Sequence, residues 1–186
     1  IYVTGYFKDT VNFQADWSGI DTITSNNNSS DIFITKINND GSYGWTKTIG
    51  GDKDDQAEQI KIDNESNIVI VGKFASASVD FNPNAGTDEH TCLDEGSSHD
   101  YCIFISKLKN DNSYLWTKSF QRTSGSSATL RSAALDSNNT IYVTGYFTGS
   151  IIFNTYPEID QKYAIASNMF LTQIHTDGSY GWTKTM

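Results

Sequence analysis

The sequence predicts an all-β fold built from β-propeller blades of four antiparallel strands each. One seven-residue phrase occurs three times, as Ile-Tyr-Val-Thr-Gly-Tyr-Phe at 1–7 and 141–147 and as Ile-Val-Ile-Val-Gly-Lys-Phe at 68–74. Each copy is followed by a tryptophan phrase, Ser-Tyr-x-Trp-Thr-Lys, at 42–47, 113–118 and 179–184. A long repeat of this kind indicates one supersecondary unit that is used several times.

Within each repeat, apolar and polar residues alternate and clusters of turn residues separate the alternating segments. In the second repeat this pattern predicts strand a at 59–63, strand b at 67–74, strand c at 102–109 and strand d at 114–120. Asp40-Gly41 and Asp177-Gly178 are strong hairpin signals between strands c and d, because glycine tolerates the positive φ of a tight turn. Four antiparallel strands with a glycine in strand b and a tryptophan in strand d describe a propeller blade.

The repeats predict a partial propeller of about 2.75 blades. The first blade, at 1–48, lacks its first strand, and the second and third occupy 56–120 and 129–186. Propellers close with four to eight blades. We therefore expect the chain to belong to a longer protein, whose remainder supplies the other blades, or to a ring of neighbouring subunits.

The charge and the apolar content of the chain argue against some classes of binding partner. The 186 residues carry a net charge of −9, which argues against nucleic acid and against an anionic membrane surface. No apolar run approaches the ~18 residues that a membrane span needs. We expect no nucleic-acid partner and no membrane span.

The three copies serve as an internal control, since a residue present in all of them is expected to serve the fold. Trp45, Trp116 and Trp182 are expected to dock against a neighbouring blade. Gly5, Gly72 and Gly145 are expected to stand where backbone approaches backbone. In the long b–c connections, the phrases at 11–13, 79–81 and 151–153 are expected to tuck an aromatic side chain against the blade.

Residues that are not repeated are the candidates for function. Asp54 and Asp55, in the d–a connection, are expected at the same end of the blade as Asp80 and Asp88 in the b–c loop. Such carboxylates are candidate ligands for Ca²⁺, and otherwise we expect no cofactor. The alternative is that these carboxylates lie at the edge of the blade in contact with water and bind no metal.

Cys92 and Cys102 occur only in the second repeat, as a matched pair. A disulfide that pins a lengthened loop explains the pairing and places the protein in an oxidising compartment. The alternatives are free thiols and a zinc site with His90 and His99, although that spacing matches no familiar finger pattern. Asn28, Asn64 and Asn138 head Asn-x-Ser/Thr sequons in predicted turns and are candidate glycosylation sites.

The phrases Val-Asp-Phe-Asn-Pro at 79–83, Gly-Thr-Asp-Glu-His-Thr at 86–91 and Asp-Ser-Asn-Asn-Thr-Ile-Tyr-Val-Thr-Gly at 136–145 carry a family resemblance. With Ile-Phe-Ile-Thr-Lys at 32–36 and Gly-Ser-Tyr-Gly-Trp at 41–45, they resemble the bacterial seven-bladed β-propeller repeat proteins, which are large secreted or surface chains. The resemblance implies an extracellular or cell-surface propeller module. The third repeat departs from the pattern, with Asn-Thr-Tyr-Pro at 154–157.

The sequence contains no nucleophile elbow, phosphate loop or His-Glu-x-x-His motif. We therefore expect a non-catalytic structural or adhesive module that presents variable b–c loops to a protein or glycan. The alternatives are a polysaccharide-acting propeller enzyme that uses loop carboxylates and a subunit of an extracellular filament or coat.

Overall fold

A computed structural model describes residues 1–93 and 101–186. The first part of the chain forms the strands β1 (Tyr2–Lys8), β2 (Thr10–Asn12), β3 (Thr22–Thr24), β4 (Ser30–Ile37), β5 (Tyr43–Ile49), β6 (Asp55–Ile62), β7 (Ile68–Phe74), β8 (Ser78–Asp80) and β9 (Glu89–Thr91). The second part forms β10 (Cys102–Leu108), β11 (Tyr114–Arg122), β12 (Ser127–Leu135), β13 (Ile141–Asn154), β14 (Asp160–Ile174) and β15 (Tyr180–Thr185). The only helical elements in the described residues are two short 3₁₀ turns, Ala15–Trp17 and Asn26–Asn28. No helix in those residues is long and apolar enough to cross a membrane.

The strands form three antiparallel blades, as the sequence predicts. The first blade is β1-β4-β5, the second is β6-β7-β10-β11 and the third is β12-β13-β14-β15. The end of β11 also pairs with β13, so that hydrogen bonds join the second and third blades into one eight-stranded sheet. The first blade therefore consists of strands b, c and d, and the other two blades consist of strands a, b, c and d. The fold is all-β and propeller-like.

Strand a of the second blade begins at Asp55, four residues before the predicted start. Its pairing with β7 shifts between Ala57 and Gln59, which leaves Glu58 as a bulge. The third blade has the same shift between Leu130 and Ser132. A bulge interrupts the two-residue alternation, so the residues before it fall out of phase with those after it. This phase change hides the start of the strand from a pattern-based prediction.

The second blade is covered on both faces. Ile68 and Ile70 of β7 belong to a core shared with the first blade, and Val69 and Val71 belong to a core shared with the third. Every residue of β10 is buried as well. A strand that is buried on both faces is a continuous apolar run, which explains the Ile-Val-Ile-Val sequence of this repeat.

Each blade contains the same cluster of three phenylalanines. One comes from strand b, one from the b–c connection and one from strand c: Phe7, Phe13 and Phe33; Phe74, Phe81 and Phe104; Phe147, Phe153 and Phe170. The ring centroids within these sets lie 4.8–6.1 Å apart for the pairs that involve the b–c phenylalanine. The tucked aromatic predicted for each b–c connection is therefore present.

The ring of the strand-c phenylalanine lies over the glycine of strand b. A Cβ atom on Gly72 would lie 2.1 Å from the carbonyl oxygen of Gln56, and one on Gly145 would lie 2.1 Å from that of Thr129. Strand a thus passes directly over both glycines. Gly5 belongs to the blade without a strand a, and its Cβ would meet only the ring of Phe33, at 3.1 Å.

Polar contacts join neighbouring blades at the end where strands c and d turn. From the first blade, Tyr2 Oη and Lys36 Nζ donate to the carbonyl of Asn110 in the c–d turn of the second, at 3.3 and 3.2 Å. From the second blade, Lys107 Nζ and Trp116 Nε1 donate to the carbonyl of Thr176 in the c–d turn of the third, at 3.2 and 3.1 Å.

These contacts form an inter-blade latch, in which donors of one blade hold the backbone carbonyl just before the aspartate of the next c–d turn. In the second interface the Trp116 indole also lies against Gly178, whose φ is +84°. A Cβ on Gly178 would lie 2.8 Å from the indole, so this turn needs glycine for two reasons.

Candidate interaction surface

The b–c connections fold back as short hairpins instead of extending freely. In the first blade β2 pairs with β3, and in the second β8 pairs with β9. In the third blade the equivalent segments continue the long strands β13 and β14. The phenylalanine of each connection, described above, fixes one end of the hairpin to its blade.

A tyrosine of strand d fixes the other end. The phenol donates a short hydrogen bond to an aspartate of the returning hairpin segment in every blade: Tyr43 to Asp21, Tyr114 to Asp88 and Tyr180 to Asp160. Burial, and next the bonded carboxylate, raise the pKa of Tyr43 to about 12 and raise the pKa of Tyr114 and Tyr180 as well. Each phenol therefore remains a neutral donor at physiological pH. We call this tyrosine–aspartate hydrogen bond the clasp, and it is intact at that pH.

Sequence reasoning missed these clasps, although the signal was available. Each tyrosine stands two positions before the repeated tryptophan, and each aspartate closes the hairpin of its own blade. The pairs are 22, 26 and 20 residues apart, so only the fold brings them together.

The hairpin tips differ between blades and expose apolar side chains. In the first blade Trp17 is 37% exposed, and its indole donates to the carbonyl of Gly41 at 2.6 Å. In the third blade Tyr156 is 84% and Ile159 is 73% exposed. The third tip also borders an open cavity of about 490 Å³, whose other wall includes Trp182. Exposed aromatic and apolar side chains of this kind are frequent in binding surfaces.

A second set of polar residues, exposed or half-buried, lies on strands a and b. The bulged Glu58 reaches Lys73, with Oε1 3.4 Å from Nζ. The bulged Arg131 lies at the same position of the third blade, and its guanidinium carbon is 5.0 Å from the centre of the Tyr146 ring. Arg131 also donates to the Tyr146 hydroxyl at 3.0 Å. A hydrogen bond from Thr129, followed by the charge of Arg131, lowers the pKa of Tyr146.

Tyr6, Lys73 and Tyr146 share one position in the repeat, directly after the glycine of strand b. The fold does not fix the residue type there, because it changes between blades. Bulges are frequent next to binding sites, where they redirect a side chain. We call Tyr6, Glu58, Lys73, Arg131 and Tyr146 the inner residues, because strand a borders the central channel of a propeller. Sequence reasoning missed this set, since the bulges do not show in the pattern.

The disulfide between Cys92 and Cys102 is present, with the two Cα atoms 5.7 Å apart. Both cysteines are buried, and Cys102 begins strand c of the second blade. His90 instead contacts Ser119 through Nδ1, at 2.8 Å, and Asp88 through Nε2, at 3.1 Å. His99, the other ligand considered for zinc, lies outside the described residues.

The four aspartates considered for Ca²⁺ are all engaged by protein donors. Asp55 is fully buried and accepts hydrogen bonds from the backbone of Gly51, Ala75 and Ser76 and from the Ser76 hydroxyl. Asp54 accepts from the backbone N–H of Ser30 at 2.9 Å.

In the hairpin, Asp80 accepts from the backbone of Asn82 and Asp88, and the Asp88 carboxylate accepts from Tyr114. Within residues 1–93 and 101–186, no three His, Cys, Asp or Glu side chains are grouped so that they could hold a metal ion. The burial of Asp55 also removes it from contact with a polysaccharide substrate.

The three tryptophans of the repeated phrase lie in different surroundings. Trp45 packs against the core between the first and second blades, and its ring centroid is 6.1 Å from that of Tyr2. Trp116 contacts the turn of the third blade through the latch described above. Trp182 is half-buried beside Tyr142, with 6.3 Å between the ring centroids.

The candidate glycosylation sites lie in exposed turns. Asn28, with a φ of 56°, belongs to a 3₁₀ turn, and Asn138 is exposed in the a–b turn of the third blade. Asn64 is exposed too, but its side-chain nitrogen donates to the carbonyl of Ser137 at 3.0 Å. A glycan on Asn64 would be attached to the same nitrogen that makes this contact between blades.

Comparison with known proteins gives one informative likeness. The chain is 28% identical over 162 residues to an uncharacterized WD repeat-containing protein, L264, of Acanthamoeba polyphaga mimivirus. The alignment covers 86% of this chain and 11% of the relative, so the chain spans a small part of that relative's length. No protein-family model matches the chain. The likeness agrees with a β-propeller-type repeat fold and does not single out the bacterial seven-bladed family.

Proposed function

We propose that the chain is part of a non-catalytic, extracellular propeller that binds a protein partner through the tips of its b–c hairpins. The observation that carries the proposal is the contrast between the anchors and the tips. Every hairpin is held by the same phenylalanine and the same tyrosine–aspartate clasp, whereas the tips differ and expose Trp17, Tyr156 and Ile159. A rigid base with a variable apolar tip suits recognition, because little entropy is lost on binding.

Three further observations support the proposal. The inner residues add tyrosine and arginine, which are enriched in the energetically dominant positions of protein interfaces. The Cys92–Cys102 disulfide is typical of proteins that work outside the reducing cytosol. The relative is described as a WD repeat protein, and repeat propellers offer extended surfaces of the kind that partners use.

The test is binding of the purified chain to immobilised matrix proteins (collagen, fibrinogen and fibronectin) and to a glycan array. We expect saturable binding to a protein on this panel that falls at least tenfold in the double variant Tyr156→Ser/Ile159→Ser. Ile62→Ser is the matched control, because Ile62 is 45% exposed but lies at the far end of strand a. Binding to glycans alone, or release of reducing ends from a polysaccharide that Asp54→Asn abolishes, would contradict the proposal.

A further inference from the structure

The outward face of the third blade repeats the residues that are buried in the two blade interfaces. Met169 and Leu171 stand at the positions of Ile103 and Ile105 in the second blade, which are fully buried against the third. Met169, in contrast, is 55% exposed. The same positions in the first blade, residues 32 and 34, are isoleucines with no exposed surface.

The donors of the inter-blade latch are assembled on this face too. Tyr142, Gln173 and Trp182 occupy the positions of Tyr2, Lys36 and Trp45 in the first blade. Gln173 Nε2 donates to the Tyr142 hydroxyl at 3.0 Å, and the Tyr142 and Trp182 rings are in contact. In the described residues no c–d turn lies against these donors, whereas both other sets hold the backbone carbonyl of a neighbouring turn.

We infer that the face formed by Tyr142, Met169, Leu171, Gln173 and Trp182 docks a further four-stranded blade of the same repeat. Continuity with the two existing interfaces carries this inference, because the face presents the same kinds of group at the same positions. The docked blade brings a c–d turn whose carbonyl accepts from Trp182 Nε1. That turn carries glycine after its aspartate, as at Gly178, so that the indole lies flat against it.

The occupant is a complete blade, because strand a takes part in both existing interfaces. Strand a contributes Ala128, Leu130 and Ala133 to the interface between the second and third blades, and Ala57 to the one before it.

The experiment extends the chain by a second copy of residues 121–186, joined directly after Met186. The junction repeats the natural step from 120 to 121, since Met186 aligns with Phe120. Tryptophan-to-alanine variants are then compared by thermal unfolding in the original and in the extended chain. Trp116→Ala is expected to lower the melting temperature by about 5–10 °C in both, because it removes a packed indole from an existing interface.

The decisive variant is Trp182→Ala. It is expected to shift the melting temperature by under about 2 °C in the original chain and by as much as Trp116→Ala in the extended one. The appended blade is expected to resist proteolysis, and to lose that resistance in Trp182→Ala/Met169→Asp. An equally small effect of Trp182→Ala in both chains, or cleavage of the appended blade while the rest survives, would overturn the inference. Trp182-dependent self-association of the original chain would also overturn it, because the occupant would then be a second copy.

Discussion

Replacing Lys107 by methionine removes one charge from the most enclosed ion pair of the described residues. Lys107 is 3% exposed in its side chain, and its ammonium lies 2.8 Å from the Asp63 carboxylate, whose side chain is fully buried. The same ammonium donates to the hydroxyl and the carbonyl of Thr176 in the next blade, at 2.7 and 3.2 Å. One cation therefore joins the a–b turn of the second blade to the c–d turn of the third.

The expected loss of unfolding free energy depends on the hydrogen bonds that Asp63 and Thr176 keep in the variant. Asp63 retains hydrogen bonds from the backbone of Glu65 and Asn67 and from the Asn67 amide, but it loses its counter-charge. The Thr176 carbonyl keeps the indole of Trp116. Removing one partner of a buried pair costs about 3–5 kcal/mol. Because Asp63 keeps these donors, we expect the lower end, about 3 kcal/mol.

The pH dependence separates loss of charge pairing from loss of packing. Burial alone would raise the pKa of Asp63, but hydrogen bonds from Lys107 and Asn67 hold it below its ordinary value. The native contribution is therefore complete above the unfolded pKa of about 3.9 and is lost as the pH falls through the lower folded pKa. Without Lys107, burial raises the pKa of Asp63 and the folded variant takes up a proton. The cost of Lys107→Met should therefore be largest at pH 7 and smaller near pH 4.

The assay is urea denaturation of the wild type, Lys107→Met, Asp63→Asn and the double variant at both pH values, with the m-value as a check on two-state behaviour. The double variant should recover most of the loss, because replacing both partners of a buried pair is often nearly neutral. A cost under about 1 kcal/mol at pH 7, or a double variant no more stable than Lys107→Met, would refute the reasoning.

Three further outcomes are expected. Cys92→Ala/Cys102→Ala should lower the free energy of unfolding by about 2–3 kcal/mol in urea titrations, and reduction of the wild type should match it, because the bridge closes a short loop; an unchanged midpoint would contradict this. Gly72→Ala should cost at least about 3 kcal/mol, since its Cβ would overlap the carbonyl of strand a, whereas Gly5→Ala should cost under about 1 kcal/mol; equal costs would show that strand a does not pass over Gly72. Burial raises the pKa of Asp55 to about 6, so the folded state holds a proton there between about pH 4 and 6 and stability falls as the pH rises through that window. Asp55→Asn should remove a decline of about 3 kcal/mol between pH 4 and 7, measured by urea denaturation, and a wild type without this decline would contradict the assignment.

The strands were predictable because they repeat. Comparing three copies at 1–7, 68–74 and 141–147 located strand b and its glycine, and the tryptophan phrase located strand d. The cysteine pair was predictable as well, because it is confined to one repeat. In each case the signal lies within a few neighbouring residues.

The contacts between repeats were not predictable from the pattern. Lys107 and Thr176 are 69 residues apart, and they come into contact only because the second blade packs against the c–d turn of the third. The bulges at Glu58 and Arg131 likewise depend on how strand a curves over the glycine of strand b. Asp54 and Asp55 show what chemistry alone leaves out: both are candidate metal ligands by residue type, and in the structure both accept hydrogen bonds from the backbone.

The complete burial of β10 determines how its amides exchange with solvent. Ladders on both sides, with β7 and β11, occupy its backbone, and blades cover both faces. No local opening reaches these amides without separating two blades, so their exchange reports the global free energy of unfolding, whereas the amides of β1, paired on one edge, exchange through smaller openings. Among the strands, the amides of β10 at residues 102–108 are thus expected to exchange at the global unfolding rate and more slowly than those of β1.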